Sequence, residues 1–154
     1  MGSDPAFRDP DDLTPNRSRP RVRVLVVDDY LDSAESMARL LRRCGHEVDV
    51  ALDGKTALQR ARAKPPDVVL LDICMPGMSG YEVASQLRAL FQNKVQLVAI
   101  TALGSEEDRK RCLEAGFDLH LVKPADPAEV RNLLREVALA RALSGRRPPG
   151  RPPA

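Results

Sequence analysis

Five polar residues stand at the ends of apolar runs, and their side chains are of kinds that handle phosphoryl groups. Two adjacent acids, Asp28 and Asp29, follow VRVLVV; Asp72 ends VVLLD and precedes ICMPGMSG; Thr101 follows VQLVAI; Lys123, with Pro124 behind it, follows DLHLV. A lone carboxylate at the tip of a buried strand is unfavourable unless something pairs with it. Three carboxylates brought together raise one another's pKa, and a divalent cation relieves the conflict. All-oxygen donors suit a hard ion, and Mg²⁺ in particular takes a few carboxylates together with retained waters and a phosphate oxygen. A lysine ammonium and a threonine hydroxyl would hold phosphoryl oxygens. Asp72, central in the set, would then be a nucleophile that accepts a phosphoryl group as an acyl phosphate. Plainer roles exist for each: Asp72 as a strand-end cap, Asp28 and Asp29 as caps of a helix beginning near Leu31 with Asp29 or Asp32 sharing that work, and Thr101 as an ordinary strand-end residue.

The five residues are spread over almost a hundred positions, so only a fold can unite them. Apolar runs at 22–27, 47–52, 67–71, 95–100 and 118–122 read as strands. Between and after them, Ala34, Met37, Leu40 and Leu41, then Val83, Leu87 and Leu90, then Val130, Leu133, Leu134 and Val137 recur at helical spacing. Helix starts carry caps: Ser79 with Glu82, Ser105 with Asp108, and Asp126 with Pro127 and Glu129. Strictly alternating strands and helices predict an α/β fold, a doubly wound five-stranded parallel sheet covered by helices on both faces. Such sheets bind ligands outside the carboxyl ends of their strands, which is where all five residues fall. The Lys-Pro step predicts a tight turn at Pro124 and makes that bond a cis candidate.

The composition narrows the function classes. With 154 residues, 43% hydrophobic and 30% charged, the chain has the make-up of a globular protein with one sizeable core. Residues 1–21 and 143–154 are Pro- and Arg-rich without periodicity, and read as a disordered tail and a basic tail or linker around a domain at 22–142. The formal charge of +2 is carried by the closing LSGRRPPGRPPA, which leaves the middle near neutral and argues against a nucleic-acid footprint. No apolar stretch suits a membrane span or a secretory signal, so a cytoplasmic location is expected. Cys44, Cys74 and Cys112 lack metal or disulfide spacing and read as small, mostly buried residues.

Asp28, Asp29, Asp72, Thr101 and Lys123, in this order and strand context, together with the MPGMSG turn, Ala102 after Thr101 and the Lys-Pro step, resemble the receiver domain of two-component response regulators. The resemblance runs from about Val22 to Ala142 and extends to chemotaxis-type single-domain regulators and hybrid-kinase receiver segments. It implies the flavodoxin-like strand order 2-1-3-4-5. It also implies that Asp72 is phosphorylated from a phosphohistidine of a histidine kinase or histidine phosphotransfer protein. Mg²⁺ would be held by Asp29, Asp72 and the backbone carbonyl of Cys74, with Asp28 acting through water. Lys123 and Thr101, with Ala102 beside it, would bind the phosphoryl group, and His120 would occupy the position of the switch residue. Two positions depart from the commoner pattern: Cys74 where Asn is frequent, and His120 where Tyr or Phe is usual. Cys74 and Leu103 would border the phosphoryl group, and neither can orient an attacking water, so slow self-dephosphorylation is expected. The face formed by 105–115, strand five and 127–141 is where the family commonly dimerises or docks partners. The resemblance implies a phosphoacceptor that signals to a downstream protein and not an enzyme on separate substrates. Alternatives are a segment of a hybrid kinase and a phosphatase with an aspartyl nucleophile; the latter typically carries a second Asp two residues on, where Cys74 stands.

Overall fold

In the computed structural model, residues 21–102 and 104–144 are described, and they form five β/α units in strict alternation. The strands are β1 (Arg23–Val27), β2 (Glu47–Ala51), β3 (Val68–Asp72), β4 (Gln96–Thr101) and β5 (Leu119–Val122). They form one sheet in the order β2-β1-β3-β4-β5, with every neighbouring pair parallel. The helices are α1 (Leu31–Arg43), α2 (Gly54–Ala63), α3 (Gly80–Phe91), α4 (Glu106–Ala115) and α5 (Pro127–Ser144), the last running past Ala142. Among the described residues no helix is long and apolar enough to cross a membrane. The tails expected at 1–21 and 143–154 lie, apart from Arg21, Leu143 and Ser144, outside the described residues, as does Leu103.

The sheet is apolar on both faces because successive strand side chains point to opposite sides. Val24 and Val26 of β1, Val68 and Leu70 of β3, and Val98 of β4 pack with Ala34, Ala38 and Leu41 of α1 and with Val130, Leu134 and Val137 of α5. Leu25, Val27, Val69, Leu71, Leu97 and Ala99 face the other way, onto Ala57, Leu58 and Ala61 of α2, Val83, Ala84 and Leu87 of α3, and Cys112 of α4. Fully burying side chains of this size contributes roughly 1.5–3 kcal/mol each, so the central strands carry much of the stabilising burial. Leu90, one of the residues recurring at helical spacing, is 43% exposed, because Leu87 and Phe91 take the inward places in that part of α3.

Strand boundaries differ from the sequence reading by a residue. Asp67 precedes β3 and is buried with its Oδ2 accepting the Arg23 N–H (2.8 Å), so β3 runs on to include Asp72. Thr101 likewise is the last residue of β4. Helix starts behave as their caps require. Ser79 accepts from the Glu82 N–H, Ser105 and Asp108 form a reciprocal capping box, and Asp126 Oδ1 accepts from the Ala128 N–H. A further cap, Asp53 on the Thr56 N–H at 2.7 Å, starts α2. At α1 the N-cap is Tyr30, and no side chain caps the helix, so neither Asp29 nor Asp32 does that work. Asp28 Oδ1 instead accepts the Tyr30 N–H at 3.0 Å, which fixes the turn just ahead of the helix.

Candidate phosphoacceptor and metal site

Because all five strands are parallel, the carboxyl ends of β1, β3, β4 and β5 share one rim. Chain order reverses beside β1, whose two neighbours β2 and β3 leave on opposite sides, and a crevice at such a point is where these sheets bind ligands. Val27 pairs with Leu71 and Asp72 pairs with Ile100, so Asp72 ends the middle strand between Asp28 on one side and Thr101 on the other. The Asp28 N–H is held by the Ala51 carbonyl (3.1 Å), extending the ladder one residue past β1. The result is a cluster in which carboxylate oxygens of Asp28, Asp29 and Asp72 lie within 4.8 Å of one another. Asp29 is exposed, Asp28 is partly buried, and Asp72 is only 4% exposed.

Asp72 is gripped from two directions. Lys123 Nζ lies 3.2 Å from its Oδ2, and the Cys74 N–H donates to its Oδ1 at 3.2 Å. Burial pushes the Asp72 carboxyl above its ordinary range and the neighbouring Asp28 charge adds to that rise, while Lys123 and the Cys74 N–H pull the other way without cancelling it. An acid held this way is an ion short of counter-charge. Oxygen donors alone, one of them buried, make a set suited to a hard divalent cation, and the site therefore fits Mg²⁺ chemically.

Thr101 is buried, and its carbonyl accepts the Lys123 N–H at 2.7 Å, which places the two side chains at adjoining strand ends. The peptide bond between Lys123 and Pro124 is cis. Ala102 follows Thr101 in the bend leading from the strand. His120 pairs with Ala99 across β4 and β5, so it stands on the α4 side of the sheet, the side that also carries Thr101, one strand repeat deeper. Cys74 is exposed, contrary to the expectation of burial, because the chain leaves the sheet at Asp72 and turns its N–H back to the carboxylate. Gly77 in the ensuing turn has φ +79°, a conformation that favours glycine.

Two features of the site were not read from the sequence. A cleft of 630 Å³ runs from Asp28, Asp72 and Lys123 along α1, past Met37 and Leu40, to Ala125. Gly80 meanwhile abuts the backbone of Asp72 itself. The Ser-Gly pair at a helix start was visible as a cap, but nothing in the sequence shows what that glycine touches.

The family model of the response regulator receiver domain matches residues 24–135. The transcriptional regulatory protein PrrA of Mycobacterium leprae is 45% identical over 125 residues, covering 81% of this chain and 51% of PrrA. The sensory transduction protein RegX3 of Mycolicibacterium smegmatis is 40% identical over 114 residues, 74% of this chain and 49% of RegX3. The chain thus spans about half the length of these curated relatives. Among solved structures, chemotaxis protein CheY4 of Vibrio cholerae superposes with a TM-score of 0.71 at 31% identity, over 76% of this chain and 98% of that one.

Proposed function

Since the chain belongs to the response regulator receiver domain family, we propose that its body, residues 22–142, accepts a phosphoryl group on Asp72 and relays that event to another protein. The observation that carries the reading is the buried Asp72 carboxylate, held by Lys123 and the Cys74 N–H beside two further acids.

An Asp72 carboxylate oxygen attacks the phosphorus of a phosphohistidine, the N–P bond breaks, and an acyl phosphate forms on Asp72. Burial keeps the nucleophile in one orientation, which lowers the entropic part of the barrier. Mg²⁺, held by Asp28, Asp29, Asp72 and the Cys74 backbone carbonyl, with Asp28 acting through water, would neutralise phosphoryl charge. Lys123 moves its ion pair from the carboxylate to the new phosphoryl oxygens. Thr101 and the neighbouring Ala102 backbone bind those oxygens at the end of β4, and His120, sharing the face of Thr101, is the switch side chain that responds. The partners are a histidine kinase or histidine phosphotransfer protein on the donor side and a downstream protein on the output side. The latter, or a second copy of the chain, docks on α4, β5 and α5, which expose Leu113, Leu119, Val122 and Leu139. The chain acts as a phosphoacceptor that promotes its own phosphorylation and dephosphorylation, in the cytoplasm, with neither nucleic acid nor membrane as a ligand of this domain. PrrA and RegX3 are regulators, which favours this over a hybrid-kinase segment.

The test is incubation with Mg²⁺ and a small phosphodonor, followed by mapping of the labile phosphate by mass spectrometry. Phosphate on Asp72, lost in Asp72→Asn, is the expected result; a variant that labels as fully as the parent refutes the assignment.

A further inference from the structure

Gly80 is the first residue of α3, and its surroundings are unlike those of the turn glycines. A Cβ built on it would lie 2.5 Å from the Asp72 carbonyl oxygen, 2.7 Å from the Ile73 Cα and 3.1 Å from the Asp72 carbonyl carbon. All three are backbone atoms, which cannot swing aside as a flexible side chain would. Gly45, Gly77 and Gly116 have positive φ, whereas Gly80 does not, so what this position uses is the absence of a side chain and not the conformational freedom of glycine. The Gly80 N–H also donates to the Ile73 carbonyl at 3.0 Å. The helix start is therefore both bonded to, and in contact with, the peptide that carries the phosphoacceptor.

Neither partner of this contact can retreat freely. Val83, Ala84 and Leu87 of α3 are completely buried, so the core fixes where the helix lies. On the other side, β3 is held between β1 and β4 as far as Leu71, and its last residue, Asp72, pairs with Ile100 of β4. Between them lies the turn 73–78, which supplies the Cys74 N–H to Asp72 Oδ1 and is itself anchored by the buried Ile73 and Met75.

We propose that Gly80 is a positioning residue for the phosphoacceptor. The bare backbone of the first turn of α3, clamped there by the Ser79 cap, fixes the Asp72–Ile73–Cys74 peptides and so sets the direction of the Asp72 carboxylate and of the Cys74 backbone groups around it. This inference rests on the phosphoacceptor reading of Asp72. It adds a residue that touches neither phosphoryl group nor cation and acts through main-chain contact alone.

The experiment compares Gly80→Ala with two variants that add no atoms. Ser79→Ala removes the cap of α3 and loosens the contact, whereas Asp53→Ala removes the cap of α2 and serves as a control of similar stability loss. Three quantities are read: Mg²⁺ affinity by calorimetry, the rate of labelling by a small phosphodonor, and the Asp72 side-chain pKa by NMR without metal. Gly80→Ala is expected to weaken Mg²⁺ binding and labelling at least tenfold and to move the Asp72 pKa. Ser79→Ala should do the same by a few fold, and Asp53→Ala should leave all three unchanged. If Gly80→Ala does not fold, Ser79→Ala against Asp53→Ala decides alone. The inference is overturned if Gly80→Ala or, failing that, Ser79→Ala matches the Asp53→Ala control in all three. Failure of the parent protein to bind Mg²⁺ or to label would instead strike the phosphoacceptor reading, while the metal-free Asp72 pKa still tests the contact.

Discussion

Removing the buried charge of Asp72 should stabilise the metal-free protein while abolishing most of its response to Mg²⁺. The carboxylates of Asp28 and Asp72 approach within 4.8 Å, and at the effective dielectric suited to such sites a fully ionised pair repels by on the order of 3 kcal/mol. Lys123, 3.2 Å from Asp72, offers about 5 kcal/mol of attraction by the same rule, but its side chain is 35% exposed and screening returns part of that to solvent. Burial of Asp72 then tips the balance, which is why its carboxyl rests above the ordinary 3.8. A raised acid pKa means that the folded state holds the proton more tightly than the unfolded chain. Stability from this group is therefore present below pH 3.8 and is lost as pH rises through the folded value, so at neutral pH the ionised carboxylate is a burden. Asp72→Asn, nearly isosteric, should raise the metal-free melting temperature at pH 7.5. In the parent protein, Mg²⁺ at a hundred times its Kd should add about 2.7 kcal/mol, an increase of roughly 10 °C for a domain of this size. Differential scanning fluorimetry with and without Mg²⁺, on parent, Asp72→Asn and Asp29→Ala, reads both effects, and either variant should lose most of the metal shift. Equal melting of the parent with and without millimolar Mg²⁺, or a metal-free Asp72→Asn that melts below the parent, refutes the argument that uncompensated charge dominates this rim.

Three other outcomes follow from contacts elsewhere. Arg88 donates to the carbonyls of Gln92, Val95 and Gly116 and pairs with Asp118 at 2.9 Å, so Arg88→Ala should lose about 3–5 kcal/mol in urea unfolding while the remaining folded protein labels normally. His46 Nδ1 accepts the Val22 N–H at 3.3 Å and burial lowers its pKa, so its contribution is present above its usual 6.5 and is lost as pH falls through the folded value; His46→Asn, which keeps a non-titrating acceptor, should flatten stability below pH 6.5, and an unchanged profile would discount the contact. His120→Ala should label as well as the parent yet lose the beryllofluoride-induced chemical-shift changes across α4 and β5, and retention of those changes would make His120 a bystander.

Most of the fold was legible because it is encoded by short-range patterns. Five apolar runs, each followed by a helical repeat, leave few arrangements other than a parallel sheet with covered faces, and the caps at Ser79, Ser105 and Asp126 fixed three helix starts. The site was legible for a related reason: a parallel sheet converts position at the end of a strand into proximity in space, so Asp28, Asp72, Thr101 and Lys123 could be placed together without knowing any side-chain contact. The strand order came only from the family resemblance, since periodicity does not say which strand lies beside which. Cys74 was misjudged because small apolar character signals burial only on average, and it sits where the chain leaves the sheet, between the buried Ile73 and Met75.

What stayed hidden are contacts whose two halves are remote in sequence or whose chemistry is main chain. Arg88 reads as a surface arginine of α3, yet it bonds the carbonyl of Gln92, a residue with positive φ (54°), and joins that turn to the start of β5 through Gly116 and Asp118. Asp118 in turn accepts the Leu97 N–H, so a single carboxylate ties α3, β4 and the entry to β5 together. A half-buried arginine is offset here by four acceptors, three carbonyls and one carboxylate. The same logic separates the two ends of the sheet. At the amino ends, the buried Asp67 and the partly buried Asp118 are engaged by main-chain N–H groups, and Asp118 by Arg88 as well, which makes them parts of the frame. At the carboxyl ends, Asp28, Asp29 and Asp72 meet with one lysine among them, and the deficit of positive charge that the frame avoids is retained. On the proposed reading, a cation and then a phosphoryl group bind at the rim where the acids are left in conflict.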